Sequence, residues 1–119
     1  MPGKVYRTAI YCRLSREDGD KVESNSIASQ RAICEDYIAR HDDLEIVCEP
    51  FVDDGYSGVS FNRPNFKKLE DAIRKGAIDC IVVKDLSRFS RNYIDGGRYL
   101  EKIFPQLGIR FIAVNDAYD

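Results

Sequence analysis

Short apolar runs alternate with polar, turn-forming segments along the whole chain. Residues 5–14 are rich in apolar and aromatic side chains and contain neither glycine nor proline, as is typical of a buried strand. Three further runs of this kind lie at residues 45–52, 78–84 and 109–114. Pro50 interrupts the second of them, which is compatible with a strand only near a sheet edge or a bulge. The pattern therefore predicts four strands.

Between these strands, apolar residues recur at helical spacing. Ser26 can cap a helix that runs to about Arg40, with Ile27, Cys34, Tyr37 and Ile38 on one face. Pro64 suits the first position of a second helix, which has an apolar stripe and ends at Gly76. A third helix is predicted from about Asn92 to Gln106, before Gly108. Its predicted buried residues are Ile94, Gly97, Leu100, Ile103 and Phe104.

The order of these elements is strand, helix, strand, helix, strand, helix, strand. Such alternation is typical of an α/β fold with right-handed crossovers between parallel strands. We therefore predict one domain, residues 1–119, with a mostly parallel four- to five-stranded sheet and helices on both faces.

Composition narrows the class of protein. The chain is 44% hydrophobic and 32% charged, with a net charge of −2, which is ordinary for a globular domain and argues against a general nucleic-acid-binding module. Any contact with DNA must then come from a local group of arginines or from a partner domain. No apolar run is long enough to cross a bilayer, and the first residues lack a secretory signal, so we expect a cytosolic protein without a membrane partner.

Cysteine and histidine usage offers little material for a metal site. The four cysteines, Cys12, Cys34, Cys48 and Cys80, form no C-x-x-C pair and lie in apolar segments, so we expect reduced core residues. The single histidine, His41, lies in a charged stretch and is predicted to be solvated. No Walker-type or G-x-G-x-x-G motif occurs. We expect neither a metal nor a cofactor.

Polar residues that suit a phosphate ligand follow three of the predicted strands. In parallel sheets, ligands bind beyond the carboxyl ends of the strands. The residues predicted at that edge are Arg13, Ser15 and Arg16 after the first strand, Asp53, Asp54, Ser57 and Arg63 after the second, and Ser87, Arg88 and Arg91 after the third. Each arginine alone is typical of an ordinary surface. The set predicts a phosphate site, because a guanidinium group can donate two parallel hydrogen bonds to the oxygens of one phosphate.

Several motifs resemble those of the serine recombinase (resolvase/invertase) family, in particular its large transposon and phage type. They are YCRLS at residues 11–15, SIASQ at 26–30, FVDDGYSG at 51–58 followed by Arg63-Pro64, VVKDLSRFSRN at 82–92 and IRFIAVND at 109–116. They span nearly the whole chain in the family's order. Two features depart from the small resolvases: the longer spacing between Ser15 and Ser26, and Ser87 where an aspartate commonly precedes the first arginine.

The resemblance implies a mechanism and roles for named residues. Ser15 would attack a DNA phosphodiester and form a 5′-phosphoserine link, without metal or ATP. Arg13, Arg88 and Arg91 would bind the phosphate. The supporting residues would be Gln30, Asp54, Ser57 and Arg63. The acceptor of the serine proton stays open between an arginine, Asp54 and the DNA itself.

The resemblance also implies partners. They would be double-stranded DNA at recombination sites, and further copies of the protein in a homodimer or tetramer. In this family a dimerisation helix and DNA-binding domains follow the catalytic domain, so we expect residues 1–119 to be a catalytic fragment. Two alternatives stay open from the residues alone: a phosphate- or nucleotide-binding enzyme with a flavodoxin-like fold, and a non-catalytic assembly module whose arginines pair with acidic groups.

Overall fold

The computed structural model describes residues 3–14, 26–57 and 59–119. The strands are β1 (Tyr6–Leu14), β2 (Leu44–Ile46), β3 (Phe51–Asp54), β4 (Cys80–Val83) and β5 (Arg110–Ala113). The helices are α1 (Ile27–Ala39), α2 (Pro64–Arg74), α3 (Leu86–Phe89), α4 (Tyr93–Arg98) and α5 (Phe104–Leu107). A π-helical turn, Tyr99–Ile103, joins α4 to α5, and a 3₁₀ turn, Val114–Asp116, follows β5.

The five strands form one sheet in which every pair is parallel. β1 is central: β4 pairs with it on one side, and β5 pairs with β4. On its other side β1 pairs first with β2 and then, further along, with β3. The predicted fold class, a mostly parallel sheet of four to five strands, is confirmed.

The predicted second strand is divided in two. Residues 47–50 separate β2 from β3, and only Val47 in this gap donates a hydrogen bond to β1, at 3.2 Å from the Thr8 carbonyl. Pro50 has no N–H to give to a ladder, so a break here is physically expected. Both short strands lie at the edge of the sheet, where such a break is tolerated.

Helices cover both faces of the sheet. On one face, Ala9 and Tyr11 of β1 pack in a cluster with Phe66 and Leu69 of α2. On the other face, Ile10 and Cys12 pack with residues of α1, including Cys34 and Ile38. This division follows from the period of two along a strand, which sends alternate side chains to opposite faces. All of these side chains are buried.

The first two helices follow the predicted signals. The Ser26 side chain accepts a hydrogen bond from the Ser29 amide at 3.1 Å and caps α1, as predicted. Pro64 occupies the start of α2, and Gly76 lies just after its end with a positive φ of 79°. Residue type alone therefore predicts where both helices begin.

The third helix buries a different set of residues from the predicted one. Phe104 is buried, but Ile94 is 76% exposed, so the prediction that Ile94 lies in the core is wrong. Gly96, which the apolar periodicity does not count, is buried instead. The cause is the approach of the preceding loop, since a Cβ on Gly96 would lie 3.1 Å from Cβ of Ser90. The helix turns a glycine, rather than its first apolar side chain, towards that loop.

Three cysteines are core residues, as predicted. Cys12, Cys34 and Cys80 are buried free thiols, whereas Cys48 is half-buried. His41 is also half-buried rather than fully solvated, because its ring stacks on Tyr37 at the end of α1 with centroids 4.0 Å apart. Within the described ranges, no helix is long and apolar enough to cross a membrane.

Candidate active site

Three arginine side chains are buried at the carboxyl end of the sheet. Arg13, near the end of β1, and Arg63, just before α2, are each 0% exposed, and Arg88 in α3 is 2% exposed. They come from three separate segments, as the positions after the predicted strands suggested. Burying a guanidinium is costly unless polar groups surround it, so the contacts of each arginine define the site.

Arg13 joins β1 to two loops through backbone carbonyl groups. Its Nη2 donates to the carbonyl of Ser87 at 2.7 Å, and its Nε to that of Arg88 at 3.3 Å. Its Nη1 donates to the carbonyl of Tyr56 at 3.0 Å. The guanidinium therefore holds the end of β1, the loop after β3 and helix α3 in one arrangement.

Gln30 binds both the amide and the carbonyl group of Arg13. Its Oε1 accepts from the Arg13 amide at 3.1 Å, and its Nε2 donates to the Arg13 carbonyl at 3.0 Å. A buried amide side chain, 0% exposed, thus binds the Arg13 amide and carbonyl as the backbone of a strand would. Gln30 fixes the strand end immediately before Leu14 and Ser15.

Arg88, in α3, donates a hydrogen bond to the backbone of β1. Its Nη1 donates to the Arg13 carbonyl at 2.9 Å, so Arg13 and Arg88 bind each other's backbone. Its Nε and Nη2 lie 3.3 and 3.2 Å from the Ser87 hydroxyl oxygen. That hydroxyl in turn donates to Oδ1 of Asp85 at 2.5 Å. Asp85 itself lies 3.6 Å from Arg88 Nε, so Ser87 bridges a carboxylate and a guanidinium.

Arg63 belongs to a second buried network, which contains Tyr11 and Asp53. Arg63 Nη1 donates to the Phe89 carbonyl and lies 3.4 Å from the Tyr11 hydroxyl oxygen. The Tyr11 hydroxyl donates to Oδ2 of Asp53 at 2.8 Å. Burial raises the pKa of the Tyr11 phenol above its ordinary value, so the hydroxyl stays a donor at neutral pH.

Helix α3 is where the two networks meet. It is one turn long, so it cannot satisfy its own terminal carbonyl groups. Arg13 binds the carbonyls of Ser87 and Arg88, and Arg63 binds the next one, that of Phe89. Two guanidinium groups therefore act as caps for the end of α3, and the position of Arg88 depends on both.

The structure gathers only part of the predicted site. Ser15 and Arg16 lie outside the described residues. Asp54 is exposed at the end of β3 and pairs in register with Leu14, which precedes Ser15. Ser57 is half-buried and its hydroxyl accepts from the Val59 amide at 3.1 Å. Arg91 is exposed, beyond the end of α3.

Asp53 makes hydrogen bonds that were not predicted from the sequence for either Asp53 or Asp54. Its carboxylate accepts from the amides of Asn65 at 3.0 Å and Phe66 at 2.9 Å, in addition to the Tyr11 hydroxyl. It is 0% exposed and caps the start of α2 from outside the helix. Alternation along β3 could have indicated this, because Asp53 shares a face with Phe51, an apolar residue that packs on the core.

A groove of about 520 Å³ lies between α3 with the residues that follow it and α4 with the π-helical turn. Ser87, Arg91 and Asn92 supply polar atoms to it, and Leu86, Phe89, Leu100 and Tyr118 supply much of its apolar wall. Among the residues that the structure describes, no three side chains of the metal-binding types gather into a ligand set.

Comparison with known proteins decides the family. The family model described as "Resolvase, N terminal domain" matches residues 8–119. The chain belongs to the resolvase family. This resolvase-family chain is also similar to a Bacillus subtilis (strain 168) protein described as "Putative DNA recombinase", with 31% identity over 87 residues. That match covers 73% of this chain but only 16% of the other protein, so the chain spans about a sixth of the relative's length.

Solved structures agree with this family assignment. The N-terminal catalytic domain of TP901-1 integrase superposes with a TM-score of 0.80 at 27% identity, covering 93% of this resolvase-family chain and 78% of that one. The C-terminal catalytic domain of ISC1926 TnpA, an IS607-like serine recombinase, gives a TM-score of 0.72 at 22% identity, with 91% and 67% covered. The second match shows a shared fold.

Proposed function

We propose that this chain is the catalytic domain of a serine recombinase, which carries out site-specific DNA recombination for a transposon or phage. The observation that carries the proposal is the convergence of three buried arginines at the carboxyl end of the sheet. Burying several cations in one place costs free energy. A site with this concentration of positive charge suits a phosphate group that is negatively charged.

In the proposed reaction, Ser15 is the nucleophile. Its Oγ forms a bond to phosphorus, the bond from phosphorus to the 3′ oxygen breaks, and the products are a 5′-phosphoserine link and a free 3′-hydroxyl. The serine proton leaves to an acceptor, for which an arginine, Asp54 and the DNA stay candidates, and the leaving oxygen takes up a proton. Because the phosphodiester is exchanged for a phosphoserine ester, the reversal needs no ATP or metal.

Arg13, Arg88 and Arg91 are assigned to phosphate and transition-state binding in this proposal. Gln30 and Arg63 are positioning residues, since the first holds the backbone of Arg13 and the second holds α3. Asp54 and Ser57 are assigned to supporting roles at the same edge, where Asp54 pairs in register with Leu14, the residue before Ser15 in the sequence. Fixed positive groups aimed at the phosphate would stabilise the extra charge of the transition state.

The proposed substrate is duplex DNA carrying recombination sites, and the proposed active form is a dimer or tetramer of a longer protein. The catalytic domains named above belong to TP901-1 integrase and to an IS607-like serine recombinase, which supports a substrate of this kind. The net charge of −2 supports a further contribution to DNA binding from outside these residues.

The deciding experiment traps the covalent intermediate. The complete encoded protein is incubated with DNA that carries the junctions of its own element, nicked next to the cleavage position so that a short fragment dissociates and prevents rejoining. Mass spectrometry of the digested adduct then maps the modified residue. We expect a 5′-phosphoseryl link at Ser15, and its complete loss in Ser15→Ala.

A matched control uses a serine outside the site. Ser29 lies in the first turn of α1, and Ser29→Ala should form the adduct at the wild-type rate. An adduct at another residue, or recombination that survives Ser15→Ala, would refute the assignment of the nucleophile. Turnover of a nucleotide that is unaffected by Ser15→Ala would instead favour a phosphate-binding enzyme.

A further inference from the structure

We infer that Asp116 is a positioning residue for Arg13 and Arg88, acting through the start of helix α3. Asp116 lies in the 3₁₀ turn after β5, 30 positions along the chain from Leu86. Its Oδ2 accepts a hydrogen bond from the Leu86 amide at 2.6 Å. This inference rests on the proposed function, because it gives a role in DNA cleavage to a residue outside the arginine set.

The start of α3 depends on side chains from outside the helix. A one-turn helix leaves its first amides without intrahelical acceptors, and nucleating a single turn is unfavourable on its own. Asp85 accepts from the Arg88 amide at 3.2 Å, and Asp116 accepts from the Leu86 amide. Carboxylates are the strongest acceptors for such amides, because the hydrogen bond is charge-assisted.

A second hydrogen bond holds the same two segments together. The Asn115 amide donates to the Lys84 carbonyl at 2.8 Å, two residues before α3 begins. Residues 84–86 are therefore fixed to residues 115–116 through one backbone contact and one carboxylate contact. The backbone contact survives any substitution of Asp116, so such a variant changes the placement of α3 without separating the segments.

The opposite end of α3 carries the contacts that matter for the site. Arg13 donates to the carbonyls of Ser87 and Arg88, and Arg88 donates back to the Arg13 carbonyl. A displacement of α3 therefore moves the acceptors of Arg13 and the guanidinium of Arg88 together. Errors of about 1 Å in a catalytic arrangement can cost on the order of a hundredfold in rate.

The turn that contains Asp116 also follows directly from the sheet. An antiparallel bridge between Ala113 and Tyr118 closes the turn, and Ala117 has a positive φ of 51°. The arrangement of residues 113–118 is thus well defined by the backbone, and Asp116 transmits it to α3. A partner that moves this turn would alter the arginines without touching them.

The test uses two readouts, one of which does not depend on recombination. The first is hydrogen exchange of the Arg13 Nε–H by ¹⁵N NMR on the 119-residue chain. The second is the single-turnover rate of adduct formation by the complete encoded protein on its nicked junction DNA. The variants are Asp116→Ala, Asp116→Asn, whose amide oxygen can still accept from Leu86, and Asn115→Ala. The last is the matched control, since it preserves the Asn115 backbone contact.

We expect Asp116→Ala to speed exchange of the Arg13 Nε–H and to slow adduct formation on the order of tenfold. Asp116→Asn should recover most of both effects, and Asn115→Ala should change neither. Unchanged exchange in Asp116→Ala would overturn the inference, as would faster exchange with an unchanged cleavage rate. If wild-type protein forms no adduct, the proposed function fails, and the exchange measurement alone then decides whether Asp116 positions the arginines.

Discussion

At the scale of single residues, two adjacent aspartates in β3 have opposite environments. Asp53 is 0% exposed and accepts three hydrogen bonds, from Tyr11, Asn65 and Phe66, whereas Asp54 is exposed. The motif resemblance selected Asp54 for the site. The structure gives the role of joining β1, β3 and α2 to Asp53, and leaves Asp54 at the strand end beside Leu14.

This difference predicts unequal stability effects. Asp53→Ala removes the acceptor of three buried or half-buried donors, so we expect it to lower the free energy of unfolding by about 2–4 kcal/mol. Asp54→Ala, at an exposed position, should change it by less than about 0.5 kcal/mol. Urea denaturation followed by circular dichroism measures both. Equal losses for the two variants would contradict the burial of Asp53 and the exposure of Asp54.

The arginines show which features of the site residue type alone can predict. The sequence predicted Arg13, Arg16, Arg63, Arg88 and Arg91 at one edge of the sheet. The structure buries Arg13, Arg63 and Arg88 there and leaves Arg91 exposed, while Arg16 lies outside the described residues. What the sequence could not show is that most of the hydrogen bonds described above for these guanidinium groups go to backbone carbonyls. Those acceptors have the same chemistry in every residue, so only the folded path of the chain determines which carbonyl lies near which guanidinium.

At the scale of elements, helix α4 contains two neighbouring glycines with different surroundings. A Cβ on Gly97 would meet no atom within 4 Å, whereas a Cβ on Gly96 would lie 3.1 Å from Cβ of Ser90 and 3.2 Å from its Oγ. Both glycines lie within α4. Alanine is favoured over glycine inside a helix by up to about 1 kcal/mol, so packing decides the difference between the two positions.

We therefore expect Gly97→Ala to raise the free energy of unfolding by about 0.5–1 kcal/mol. Gly96→Ala should be less stable than Gly97→Ala by about 1 kcal/mol or more, because its new methyl group crowds the Ser90 loop. Thermal unfolding of the two variants in parallel provides the comparison. A Gly96→Ala variant as stable as Gly97→Ala would mean that the loop before α4 is not held against the helix.

The type of each helix and strand was predictable from the sequence, but its length and its buried residues were less so. The helix starts at Ser26 and Pro64 follow from capping and from the fixed φ of proline, which are local effects. The division of the second strand and the exposure of Ile94 depend on neighbours distant in sequence. Apolar periodicity indicates which residues lie on the same face of a helix. Whether each part of that face is buried depends on the segments that pack against it.

At the scale of the whole molecule, the sheet places three thiols in one interior layer. Cys12, Cys34 and Cys80 all belong to the core cluster that contains α1. Burial raises the pKa of Cys12 and of Cys80 to about 12, and burial also raises the pKa of Cys34. Unfolding exposes these groups to water, where a thiol has a pKa of about 8.5.

Stability should therefore fall in alkaline solution. A pKa that is higher in the folded state means that the unfolded chain loses its thiol protons first as pH rises. The stabilisation is complete below about pH 8.5 and is lost up to about pH 12, by about 1.4 kcal/mol per pH unit for each buried thiol. Urea midpoints at pH 7.5, 9 and 10 measure the slope.

The same measurement on cysteine variants isolates the cause. Cys12→Ala with Cys80→Ala should give a shallower decline between pH 9 and pH 10 than the wild type. Cys48→Ala, which replaces a half-buried thiol, should change the slope less. A decline that is identical in all three proteins would show that groups other than the buried thiols cause it.

The sequence by itself determined the class of fold, the helix starts, the three arginines at one edge of the sheet and the family. The fold class, the helix starts and the arginine positions follow from side-chain periodicity, from local capping and from the rule that parallel strands end at one edge. The family follows from the motifs that resemble those of the serine recombinases. Only the tertiary structure decided that Asp53 is the buried aspartate, that Arg13 and Arg63 cap α3, and that Asp116 reaches its first amide. Each of these is a contact between segments far apart in the chain, and its geometry depends on how the layers pack.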